Sequence, residues 1–168
     1  HHRGIEHLVP LPEMVDKIRV AVEARTDPDM LLIARTGAVR NEAFAAAVER
    51  GRAYHEAGAD VVMLAPSSED EWDRASAEIE APLAAIVSLD LFSQQEWQRR
   101  GFSLVIDPFT AQVEAVGAIR AVYETFAQTG QTGTNRREIM EGYRTLPGLA
   151  GLDPLYDIED STTEGANR

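Results

Sequence analysis

Met30-Leu31-Leu32-Ile33-Ala34 is five apolar residues in a row. Three more runs follow: Val61-Val62-Met63-Leu64-Ala65, Leu83-Ala84-Ala85-Ile86-Val87 and Leu104-Val105-Ile106. A strand with one face in water alternates apolar and polar residues. A short continuous apolar run suits a strand covered on both faces, as in a parallel sheet. Strands are therefore predicted to start near residues 30, 61, 83 and 103.

The intervening segments have helical period. Pro12 to Arg25 places Met14, Val15, Ile18 and Val22 on one stripe, and Pro12 and Glu13 suit a first turn. Asn41 can cap a helix running to Ala57, with Phe44, Ala47, Val48 and Tyr54 on one face and Gly58 as its stop. Ser68 can cap Glu69 to Ile79. Ser93 with Glu96 has capping-box spacing. Thr110 to Gln128 carries Val116, Ile119, Tyr123 and Phe126 on one stripe before Gly130. Such alternation builds either a doubly wound sheet or a (β/α)8 barrel, of which four strand–helix units are half. No Gly-x-Gly-x-x-Gly follows any strand, which weighs against a dinucleotide site.

From Gln131 the chain changes character. Gln131 to Thr134 reads as a flexible linker, and Glu138 to Thr145 as a short helix with Ile139, Met140 and Tyr143 inward. Gly148, Gly151 and Pro154 are expected to break any longer element. Leu146, Leu149, Leu152, Leu155 and Tyr156 are too apolar for a solvated tail and suggest docking on a neighbour, while Asp160 to Arg168 reads as disordered.

Composition narrows the function. Of 168 residues, 16 are Lys or Arg and 28 Asp or Glu, a net charge of −12. That argues against nucleic acid as a partner, which needs clustered Lys and Arg. No apolar run approaches the ~20 residues of a membrane span. The chain has no cysteine, so it holds no disulfide, thiolate zinc site or cysteine nucleophile, which fits a reducing cytoplasm. It opens His1-His2-Arg3-Gly4, either the stub of a tag or the interior of a longer protein.

Three stretches carry a resemblance: Glu13-Met14-Val15-Asp16-Lys17-Ile18-Arg19; Ala24-Arg25-Thr26-Asp27-Pro28-Asp29 leading to Ile33-Ala34-Arg35-Thr36; and Glu49-Arg50-Gly51-Arg52-Ala53-Tyr54 leading to Glu56-Ala57-Gly58-Ala59-Asp60. In this order they resemble the isocitrate lyase/phosphoenolpyruvate mutase superfamily over about residues 1 to 158. In that family Ala-Arg-Thr-Asp-Ala closes the fifth barrel strand and Ala-Gly-Ala-Asp leads into the sixth. His2, with Val9-Pro10, is similar to the end of the family's catalytic loop, where some members carry Ala-His-His.

The resemblance implies an α/β fold of (β/α)8 TIM-barrel type. Residues 1–130 would be its second half, and residues 131–168 a linker and C-terminal helix or tail packing on a partner subunit. It also implies a homo-oligomer, a dimer or tetramer with exchanged C-terminal helices. Mg²⁺ is expected as cofactor, its carboxylate ligands lying outside this segment in the half carrying strands one to four. The implied partner is a small carboxylate substrate.

Arg35 closes a strand at the end where barrels build their sites. A guanidinium there can grip a carboxylate bidentately or form an ion pair at the barrel rim. The resemblance implies that Arg35 binds the substrate carboxylate and stabilises a developing enolate, and that His2 contacts the substrate region; Thr36, beside Arg35, and Ser88, the polar group nearest the third strand's end, are further candidates for substrate binding. Three positions depart from the family: Gly37 replaces Asp, Ala65 replaces Glu, and Ile86 replaces Asn. Each removes a polar group, and losing one such group typically costs ~2.7–4 kcal/mol of transition-state stabilisation. Ser67, Ser88, Asp90 and Asp107 are candidate substitutes, each also explicable as a cap or a solvated residue.

The expected activity is therefore C–C cleavage of a 2-oxo or 2-hydroxy di- or tricarboxylate through an enolate. The alternative is a catalytically degenerate relative that binds a carboxylate or serves as an oligomeric scaffold. A half-barrel closing with its own copy is a third possibility, since four open strands leave two unpaired edges.

Overall fold

A computed structural model describes residues 7–162, and each apolar run contributes a strand. The strands are β1 (Ile33–Arg35), β2 (Val61–Met63), β3 (Leu83–Ile86) and β4 (Phe102–Ile106), all parallel, in the order β1-β2-β3-β4. A doubly wound sheet reverses its strand order at a switch point. This one steps in one direction, as a barrel wall does. The register pairs Arg35 with Met63, Met63 with Ala84, and Ile86 with Ile106, with a bulge beside Leu83 and Ala84.

Period-2 alternation gives the sheet two unlike faces. Ala34, Val62, Leu64, Leu83, Ala85 and Phe102 join the main core with buried residues of the helices α1 (Leu11–Ala24), α3 (Phe44–Glu56), α4 (Glu69–Ile79) and α5 (Gln94–Arg99). Val61, Met63 and Ala84, with Ile86 beside them, form a second small cluster on the opposite face. There the edge-strand residues Ile33, Leu104 and Ile106 are each more than a third exposed.

Local chemistry explains where α4 and α5 start. The Ser68 hydroxyl accepts from the Glu71 N–H at the head of α4, and Ser93 with Glu96 closes a full capping box on α5. Trp72, Phe92, Trp97 and Phe102 pack edge to face, with Trp72 and Trp97 centroids 5.3 Å apart. The buried Arg100 guanidinium lies 3.8 Å from the Phe92 ring centroid, and its Nε is 2.7 Å from the Asp73 carboxylate.

Three boundaries differ from the sequence expectation. Asn41 does not cap a helix running to Ala57. It ends a four-residue helix, α2 (Ala38–Asn41), where its amide donates to the Gly37 carbonyl at 2.9 Å. α3 then starts at Phe44 behind Ala43, without a side-chain cap. β1 starts three residues later than the apolar run. A turn closed by the Asp27 carbonyl accepting from the Met30 N–H at 3.2 Å precedes it, and the Asp60 carboxylate takes the Leu32 N–H at 2.8 Å. The Leu32 N–H, followed by the Arg25 guanidinium, holds the Asp60 carboxyl below its usual range.

The third difference lies in the second compact unit, the chain dividing between Val113 and Glu114. α6 (Thr110–Thr129) spans the division, and α7 (Arg136–Leu149) and α8 (Asp153–Ser161) follow. Pro154 does not break α8; it occupies its first turn, where a missing N–H costs nothing. Pro147 and Gly148 sit in the last turn of α7. Asp160 and Ser161 are helical. Ile139, Met140 and Tyr143 are exposed, not inward, and α7 and α8 bury no side chain. Amphipathic period sets which side chains share a stripe and says nothing about whether a neighbour covers it.

Candidate active site

All four strands point their C-terminal ends the same way, and a cavity of about 800 Å³ opens there. β1 and the segment after it supply Arg35, Thr36, Gly37, Val39 and Arg40. β2 supplies Met63, Leu64 and Ala65, and β3 supplies Ile86. Pro108, Phe109 and Gln112 come from the β4–α6 junction. The volume falls within the roughly 300–1,000 Å³ of small-molecule sites.

The Arg35 side chain is exposed and lines this cavity. Among the described residues it meets no carboxylate and makes no side-chain hydrogen bond. Arg25, Arg50, Arg74 and Arg100 of the same unit all pair with acids. Thr36 is buried beside it. Its hydroxyl accepts from the Ala38 N–H at 3.2 Å, which leaves the O–H free to donate, and its own N–H donates to the Met63 carbonyl at 3.0 Å. These bonds fix the exit of β1 against β2.

Gly37, Ala65 and Ile86 all line the same cavity. The positions where this sequence departs from the resembled pattern are thus brought together around Arg35. Ser88 is not among the lining residues. Its hydroxyl accepts from the Asp90 N–H at 3.3 Å, at the head of a 3-10 turn, Leu89–Leu91. Ser67, Asp90 and Asp107 do not line it either. Asp107 is fully engaged: its carboxylate accepts from the Thr110 hydroxyl at 2.5 Å and from the N–H groups of Thr110, Phe109 and Leu89 at 3.0, 2.8 and 3.1 Å. Those donors, Thr110 first, hold it far below the usual carboxylate range and tie down the junction that carries Phe109 and Gln112. His2 lies outside the described residues.

Arg40 and Gln112 escaped the sequence reading. Neither belongs to a periodic stripe or a spaced motif. The usable signal for Arg40 was its place five residues beyond Arg35, in the loop after a strand's C-terminal end.

Behind the cavity, Arg50 anchors the segment that carries Val39 and Arg40. From α3 its guanidinium reaches Glu42 at 3.3 and 3.5 Å, the Val9 carbonyl at 3.0 Å and the buried Tyr54 hydroxyl at 3.5 Å. Glu42 is the residue that closes α2.

Parallel strands in sequential order, with an unpaired arginine at their C-terminal ends, define an α/β protein of (β/α)8-barrel type, of which this chain supplies four strand–helix units. The family model for phosphoenolpyruvate phosphomutase matches residues 1–127, and the chain belongs to that family. A 2-methylisocitrate lyase of Shewanella oneidensis is 32% identical over 167 residues, covering 95% of this chain and 55% of that protein. The crystal structure of 2,3-dimethylmalate lyase, a PEP mutase/isocitrate lyase superfamily member, matches with a TM-score of 0.76 at 28% identity, over 92% of this chain and 57% of that one. Phosphonopyruvate hydrolase, solved with oxalate and Mg²⁺, matches at 0.69 and 27%, over 94% and 58%. The chain spans about half the length of the curated relatives it matches.

The residues present do not fit Mg²⁺. Its octahedral shell draws on carboxylate oxygens, and the charged residues lining the cavity are both arginines. Among the described residues no three His, Asp or Glu side chains converge as a metal site would require. No helix among the described residues is long and apolar enough to cross a membrane.

Proposed function

We propose that this chain is the substrate-gripping half of a carbon–carbon lyase acting on a small 2-oxo or 2-hydroxy di- or tricarboxylate through an enolate. The observation that carries the reading is Arg35, an unpaired guanidinium at a strand's C-terminal end in a cavity without acids. Two parallel N–H···O bonds would hold the carboxylate next to the carbon that gains the enolate charge. A fixed cation there would favour the charge-separated state in a site that holds no competing acid. The relatives named as lyases of branched carboxylates support the reaction class. Mg²⁺ is proposed as the cofactor, with its ligands outside residues 7–162, in a cytoplasmic homo-oligomer. The oligomer is supported by the exposed apolar residues of α7 and α8, among them Leu149 at 85% exposure.

A second reading rests on one observation: Gly37, Ala65 and Ile86, which offer the ligand no polar side chain, all face the cavity. The protein would then bind a carboxylate without turning it over. A steady-state assay of the full-length protein with 2-methylisocitrate, 2,3-dimethylmalate, oxaloacetate and phosphonopyruvate plus Mg²⁺ separates the two. Cleavage of either branched acid supports the lyase. Saturable carboxylate binding without turnover of any of the four supports the second reading.

A further inference from the structure

Arg35 is not the only cation in the cavity. Arg40, in the last turn of α2, lines it too, and among the described residues its guanidinium has no acidic partner. The chain carries 28 acidic residues against 16 Lys and Arg, so acids were available to pair it. Two like charges line one cavity that holds no acidic side chain, so they repel each other. A ligand with one negative charge relieves part of the repulsion, and a dianion relieves it on both sides.

The geometry points to Arg40 as a specificity-determining residue that binds the second acidic group of a small dianion whose first carboxylate lies on Arg35. The inference rests on the proposed role of Arg35 and extends it. Where Gly37, Ala65 and Ile86 offer the ligand no polar side chain, Arg40 offers a charged donor from α2. The second acidic group is a carboxylate or a phosphonate, since both present paired anionic oxygens to a guanidinium. The side chain is exposed and unpaired, so its removal leaves the fold intact.

The test is calorimetric titration of the full-length protein, as wild type, Arg40→Ala, Arg40→Lys and Arg35→Ala, with propionate, succinate and 3-phosphonopropionate. Each variant's urea midpoint is measured alongside. Arg40→Ala is expected to weaken at least one diacid by about 10–100-fold, the loss of one charged hydrogen-bonding group, and propionate by less than about threefold. It should also flatten the salt dependence of diacid binding. Arg40→Lys, which keeps the charge but not the fork, should fall between. The diacid that binds wild type more tightly names the second acidic group.

Equal losses for propionate and the diacids, or no loss for either diacid, would overturn the assignment. If Arg35→Ala abolishes binding of all three acids while Arg40→Ala moves none, the Arg35 site stands and Arg40 falls. If wild type binds no acid, or Arg35→Ala leaves binding intact, both fall.

Discussion

Replacing Arg50 with Met tests whether the cavity's loop is held from behind. Met keeps much of the buried aliphatic stem and deletes the guanidinium. Three partners lose a donor: the Glu42 carboxylate, the Val9 carbonyl and the Tyr54 hydroxyl. Several of these bonds are long, so each contributes toward the lower end of the usual ~0.5–1.5 kcal/mol. The Tyr54 hydroxyl, on a residue only 2% exposed, is then left with little access to water, which adds about 1 kcal/mol. Glu42 is 41% exposed and rehydrates, so its share is discounted. The sum is about 2–4 kcal/mol, a large part of the 5–15 kcal/mol that stabilises a typical domain. Urea unfolding of Arg50→Met, Glu42→Gln and the double variant measures it, with an expected coupling of about 0.5–1 kcal/mol between the two residues. Ligand affinity should fall as well, because α2 carries Val39 and Arg40 into the cavity. A loss below about 0.5 kcal/mol for Arg50→Met, or zero coupling, would refute the anchoring role.

Gly101 has φ +74°, and a Cβ added there would lie 2.5 Å from Ser76 Cβ. Gly101→Ala should therefore cost about 2–4 kcal/mol by denaturant unfolding, and Ser76→Gly in the same chain should recover the part due to the clash but not the part due to φ. Asp60, Glu96 and Asp107 all have carboxyls held below their ordinary values. Each stabilises the fold at every pH above that ordinary value, and the contribution is lost as pH falls through the folded value. The thermal midpoint should be flat above about pH 5 and drop below about pH 4, with a shallower drop in Asp107→Asn. Ser93→Ala removes the hydroxyl half of the α5 capping box and should cost about 1 kcal/mol in the same unfolding assay.

The strands were legible as unbroken apolar runs: β2 and β3 are covered on both faces, and the edge strands β1 and β4 keep the run although one face of each is partly exposed. The caps at Ser68 and Ser93 were legible because their partners lie within three residues. What failed depended on distant groups or on conformations that local chemistry allows in two ways. β1 starts late because Asp60, 28 residues on, captures the Leu32 N–H. Asn41 could open one helix or close another, and in the fold its amide donates to the Gly37 carbonyl at the end of α2. The cavity was partly legible: Arg35, Gly37, Ala65 and Ile86 follow from strand ends and motif, and all four line it. Arg40 reaches it from a helix of one turn, too short for a periodic signature, and Gln112 from the first turn of α6, off that helix's apolar stripe. Ser88, nearest the end of β3 in sequence, turns to cap its own loop.

In the proposed site the Arg35 guanidinium is the group that receives a carboxylate. A crystal structure of the full-length protein with oxalate tests it most directly. An oxalate carboxylate on the Arg35 nitrogens at about 2.7–2.9 Å is the predicted result. Oxalate bound elsewhere, with Arg35 turned from the cavity to a carboxylate of the protein, would contradict it.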